Sequence, residues 1–187
     1  MISRKRIYSA FLFRILPFIA ISFMLTACPY KSEVPISTSG VEVPSYLIGK
    51  WIEKVDEMPD YPDCYDFSKG PGNTFFIKIT DIETDSNDMI TDTVYTYRYG
   101  HFSKIDGELF MNLSKEYSNP ITSFDSEYSL YRLISKSGRT YLYGLSPYIG
   151  EKFDTSEELA AFIEKYMYLT FFYESTNGME FIKKENQ

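Results

Sequence analysis

The chain has 187 residues, with 19 basic and 26 acidic side chains, a formal net charge of −7 and two cysteines. That length fits one domain with appendages. The acidic balance argues against nucleic acid and anionic headgroups as partners and suits a cationic partner, although a merely solvated acidic surface gives the same composition.

Arg4, Lys5, Arg6 and Arg14 make a basic start, and Ile15 to Leu25 is an apolar run interrupted only by Pro17 and Ser22. The run is shorter than the roughly 20 apolar residues that span a bilayer. Its size and flanks are those of a secretory h-region. Leu25-Thr26-Ala27-Cys28 comes next. This tetrapeptide resembles the bacterial lipobox of Leu, two small or polar residues, and Cys. The resemblance implies thioether lipidation of Cys28, removal of the signal peptide 1–27, and acylation of the new N-terminus. Several acyl chains on one residue make a stable anchor. Pro29, rather than Asp, follows the cysteine. An Asp there would favour inner-membrane retention in enteric bacteria, so the expected location is the outer membrane, facing the periplasm. Loss of residues 1–27 leaves 15 basic and 26 acidic residues, a balance of −11. Cys64 is then the one unmodified cysteine, so no intramolecular disulfide is available. The fold must rest on its core, which a domain of this length can supply.

Residues 28–45 carry three prolines and several small residues with no sustained period, and read as a lipidated tether. From residue 46 to 187 the signals are mostly β. Phe75, Ile77 and Ile79 share one face of a strand. Tyr95, Tyr97 and Tyr99 share one face of Thr93–Phe102, with Thr96 and Arg98 on the other. Leu109, Met111 and Leu113 alternate after Asp106-Gly107, a dipeptide that accepts positive φ in a hairpin turn. Tyr128–Ser135 and Arg139–Leu145 flank Lys136-Ser137-Gly138. Such period-2 runs between turn residues are antiparallel strands with one buried face. A helix is expected over about 156–169. Asp154, Thr155 and Ser156 offer N-caps, and Glu157 and Glu158 sit near the positive dipole end. Leu159, Phe162, Ile163, Tyr166 and Met167 form its apolar stripe, which must pack on an end or open side of the sheet. Phe171–Glu174, a Thr-Asn-Gly turn and Met179–Lys183 read as a last hairpin.

The expectation is a mainly β domain: a closed antiparallel barrel of about seven or eight strands with one amphipathic helix near the C-terminus. A β-sandwich is the main alternative. The first strand holds Leu47-Ile48-Gly49-Lys50-Trp51. This resembles the Gly-x-Trp signature that opens the lipocalin barrel. There the glycine permits close backbone packing and the tryptophan closes the base. The resemblance also implies a basic residue near the tryptophan from the last strand, either Lys183 or Lys184. With Cys28-Pro29-Tyr30 and Ser32-Glu33-Val34-Pro35, the chain is similar to small bacterial lipoproteins with a lipocalin-like domain. The helix ahead of the last strands departs from the lipocalin order.

No residue pattern supports catalysis. His101 is the single histidine, with no nucleophile motif to serve, and it reads as a strand or rim residue. Cys64 lies among Asp60, Asp63 and Asp66, whose charges disfavour a thiolate. Asp81, Glu83, Asp85 and Asp92 fall at positions 1, 3, 5 and 12 of a calcium-loop frame, but Ser86 replaces the turn glycine and Asp92 is short for a bidentate ligand. An acidic hairpin loop is the simpler reading, and no metal or cofactor is expected. Trp51, Tyr95, Tyr97, Tyr99, Tyr141 and Tyr143 are the candidate lining of a ligand cavity; the competing reading is ordinary packing. The expected function is non-enzymatic: a lipid-anchored envelope barrel binding a small apolar or amphipathic molecule. The alternative is an inhibitor or assembly factor for a cationic envelope protein.

Overall fold

The computed structural model describes residues 30–55, 61–86, 89–114, 127–175 and 178–184. The expected signal peptide 1–27 and the expected lipidation position Cys28, with Pro29 and Asp60, lie outside the described residues.

A two-residue strand, β1 (Lys31–Ser32), precedes the barrel. The barrel strands are β2 (Gly49–Glu53), β3 (Cys64–Lys69), β4 (Thr74–Thr84), β5 (Ile90–Ile105) and β6 (Glu108–Ser114). They continue as β7 (Tyr128–Lys136), β8 (Arg139–Gly144) and β9 (Met179–Lys183), with helix α1 (Ser156–Tyr166) between the last two. Each barrel strand pairs antiparallel with its sequence neighbour, and β9 closes the ring by pairing with both β8 and β2. The continuous ladder makes this a closed eight-stranded barrel and rules out the sandwich.

Two tight turns set the parity of the ladder. Asp106-Gly107 and Ser137-Gly138 all have positive φ, at 47°, 85°, 54° and 76°. Such turns match the strand twist and fix the register of a two-residue hairpin. Phe102 is therefore opposite Met111, and Leu133 opposite Leu142. Opposed residues share a face, so a single interior holds Trp51, Phe67, Phe75, Phe102, Met111 and Leu133, all buried. Gly100 faces the same interior, opposite Phe75. A Cβ there would come 2.2 Å from the Asn112 carbonyl oxygen and 2.9 Å from the Phe75 ring, so only glycine fits.

A second core lies outside the barrel. Phe110 and Leu130, which face away from the interior, are fully buried under Leu159, Ile163 and Met167. The helix thus packs on the outer face of β5, β6 and β7, over Ile105, Phe110 and Leu130, rather than on an end or open side of the sheet. Thr155 caps it, its Oγ1 accepting from Glu158 N–H at 3.2 Å. The helix stops at Tyr166, three residues before the expected end, and Arg132 Nη1 donates to the Met167 carbonyl at 3.2 Å. A cation there complements the negative helix end. The expected strand at Phe171–Glu174 is instead a 3-10 turn, Thr170–Phe172, plus one bridge from Tyr173 to Leu145. Phe172 is drawn out of extended geometry into the second core, 5.8 Å from the Phe162 ring.

The segment expected to be a tether belongs, from Tyr30 onward, to the folded domain. Tyr30, Ile36 and Val43 are buried. β1 takes the part of the β7 edge that β8 leaves uncovered. Ile36 N–H donates to Asn112 Oδ1 at 2.7 Å, Ser37 and Ser103 share a hydroxyl bond of 2.7 Å, and Val41 N–H donates to Phe102 O at 2.8 Å. These polar links replace a hydrophobic period, which is why the segment shows none. Val43 and Leu47 then join the interior core at the barrel's base.

Candidate functional site: a cavity inside the barrel

Directly above the aromatic base, the barrel keeps a cavity of about 130 Å³. Its walls are Tyr65, Phe67, Ile77, Ile79, Arg98, Met111, Leu113, Tyr131, Leu142, Met179 and Phe181, all on the interior side of the ladder. Beneath it, Phe67, Phe75 and Phe102 stack at 5.9 and 4.7 Å. Trp51 completes that floor, its Nε1–H donating to the Leu47 carbonyl at 2.7 Å. Of the two basic candidates, Lys183 sits over the Trp51 ring at 5.6 Å and donates to the Tyr46 carbonyl at 3.1 Å.

The size limits what fits. An apolar cavity of about 150 Å³ accepts one benzene ring, whereas drug-sized pockets begin near 300 Å³. This cavity suits a single ring or a short branched chain. Among the described residues, Arg98 is its one charged wall residue. Its Nε donates to the Ser114 carbonyl at 2.8 Å and its Nη2 to Ser129 Oγ at 3.3 Å, which hold the guanidinium against the β6–β7 wall.

Carboxylates gather at the mouth. Glu53 is opposite Phe181, and Asp63 continues the β3–β4 ladder opposite Asp81. Burial raises the Asp63 carboxyl above its ordinary pKa, and the charge and hydrogen bond of Asp81 raise it further. Burial raises Glu53 too, with Asp63 adding to it. Like charges that cannot both be solvated hold on to protons.

No protein-family model, no curated protein and no solved structure matches the chain.

The predicted tyrosine lining is corrected by the register. Tyr95, Tyr97 and Tyr99 are opposite Thr80, Lys78 and Phe76, on the outer side of the ladder. Tyr95 is exposed and stacks under Lys78 Nζ at 3.9 Å, while Tyr99 is buried on that outer side. Tyr141 and Tyr143 also point outward, opposite Ile134 and Arg132. Tyr143 packs edge-on against Tyr173 at 5.9 Å in an outer groove with Arg132. Only Trp51 of the six is inside, and it belongs to the floor rather than the walls. Arg98, Tyr65, Phe67 and Ile77 were missed as lining. The signal was available: the Asp106-Gly107 turn ties Arg98 and Gly100 to the face of Met111 and Leu113.

The other candidates separate. His101 Nε2 lies 2.7 Å from the Ser37 carbonyl, pinning the N-terminal segment, and burial lowers its pKa. Cys64 lies on the outer side of β3 and is half-buried. Asp81, Glu83 and Asp92 are strung along the β4–β5 ladder, with Glu83 opposite Asp92. Among the described residues, no three His, Cys, Asp or Glu side chains form a metal-binding group.

Proposed function

We propose that this protein is a lipid-anchored envelope barrel that holds a small apolar group in its interior cavity, with Arg98 meeting a polar atom of the ligand. The observation that carries this reading is the cavity itself: an aliphatic and aromatic chamber inside the barrel with the Arg98 guanidinium in its wall. An eight-stranded barrel has an interior just wide enough to be filled by side chains or to hold one small ligand. The Leu25–Cys28 tetrapeptide supports anchoring through Cys28, as in the lipoproteins the sequence resembles.

A second reading is favoured by Glu53, Asp63 and Asp81 at the mouth: an interaction module that docks a cationic segment there.

Calorimetric titration of small ring compounds into residues 29–187 separates the two. Saturable 1:1 binding with a negative heat-capacity change supports the chamber. Absence of binding for every ring and short-chain compound overturns it and leaves the interaction module. Anchoring has its own test: a labelled fatty acid is incorporated into the full chain and lost in Cys28→Ser.

A further inference from the structure

The barrel has an aromatic outer patch with no role in the cavity. Tyr148 is 90% exposed and Phe171 74% exposed, the two most exposed large apolar side chains among the described residues. They rim a shallow hollow of about 310 Å³ with Ile149, Phe162 and Tyr166. A single exposed ring is ordinary on a protein surface, but a contiguous apolar patch of this kind marks a surface that meets a partner or a membrane.

The start of the described chain lies against this patch. Tyr30 N–H donates to the Leu145 carbonyl at 3.0 Å, and Tyr30 Oη–H donates to the Glu151 carbonyl at 2.9 Å. Tyr30 therefore grips both ends of the 145–151 segment whose middle carries Tyr148. Ser146 N–H in turn donates to the Phe172 carbonyl at 3.0 Å, which ties in Phe171. Cys28 is two residues before Tyr30. Two extended residues reach about 7 Å at most. A domain on so short a leash cannot stand clear of the bilayer, whose headgroup layer is itself about 5–7 Å thick on each side.

We infer that Tyr148 and Phe171 are the membrane-contact face of the anchored protein, entering the headgroup layer beside the Cys28 lipid. This rests on the anchoring proposed above. Tyrosine is suited to that layer because its ring is apolar and its hydroxyl wet. Glu151 and Lys152 beside Tyr148 offset each other, and Asp154, Glu157 and Glu158 follow, so anionic headgroups add no attraction. The contact is made by ring burial, and zwitterionic phosphatidylcholine is the right probe. The barrel mouth and cavity play no part in it.

The test uses the full chain, lipidated in bacteria and reconstituted into phosphatidylcholine vesicles with brominated acyl chains. Tryptophan is placed singly by Tyr148→Trp, Phe171→Trp and, as the remote site, Phe76→Trp. Phe76 is on the outer side of β4, four strands from β8 in either direction around the ring. The buried Trp51 of the parent supplies the background. The expected result is a blue shift and bromine quenching at 148 and 171 but not at 76. Acylated protein with no quenching at 148 and 171, or with equal quenching at 76, overturns the contact face and leaves the anchor standing. Protein that takes up no fatty-acid label overturns the anchor and the contact face together.

Discussion

Truncating one cavity wall separates an open chamber from a filled core. Met111 is 1% exposed and faces the cavity, while Leu130 is fully buried against the helix, in the other core. Met111→Ala and Leu130→Ala each cost about 2–5 kcal/mol. For a chain of this size that lowers the melting temperature by roughly 4–20 °C. The two differ in what is left behind. The Met111 void merges with an existing chamber of about 130 Å³ and widens a site for a small ring. The Leu130 void stands alone beneath Leu159 and Ile163. A ring compound at about 100 times its dissociation constant returns about 2.7 kcal/mol to a protein that binds it. Scanning calorimetry of both variants, with and without a saturating aromatic such as toluene, should show rescue of Met111→Ala by several degrees. Leu130→Ala should gain much less. Equal rescue, or none for either, refutes the placement of the chamber.

Three further outcomes follow from the same geometry. Trp51→Phe leaves the Leu47 carbonyl without its donor, and urea titration should show a loss of about 1–3 kcal/mol. Gly100→Ala forces a Cβ against the Asn112 carbonyl and the Phe75 ring, and should cost about 1–3 kcal/mol or more by the same titration. Asp63 binds its proton more tightly in the folded state than in the unfolded one. That contribution is complete below the unfolded carboxylate pKa near 4 and is lost as pH rises through the folded value. Asp63→Asn should therefore gain on the parent in urea midpoint as pH rises from about 4, and a gap that stays constant or shrinks refutes the raised Asp63 carboxyl.

The sequence carried the fold further than the site. Alternation at Phe75–Ile79 and Leu109–Leu113 was enough to place those strands, and Asp106-Gly107 placed the hairpin that joins β5 to β6. The face of β5 was misjudged because tyrosine reads as apolar while its hydroxyl tolerates water. Three tyrosines outweighed Thr96, Arg98 and Gly100 in the pattern, yet the latter face the interior. Hairpin parity is the stronger constraint, since a register shift of one residue exchanges the two faces. Residues 30–45 were illegible for a different reason. Their fixings are single hydrogen bonds to Asn112, Ser103, Phe102 and His101, which leave no periodic trace. The end of α1 was set by tertiary contacts too, because Arg132 meets the Met167 carbonyl and Phe172 turns into the second core.

The chamber is the central claim, and native mass spectrometry of residues 29–187 expressed in a bacterial periplasm tests it most directly. The account predicts a reproducible added mass, small enough for one ring or short chain, that disappears on denaturation and is reduced in Arg98→Met. A bare mass that stays bare after incubation with an envelope extract contradicts it.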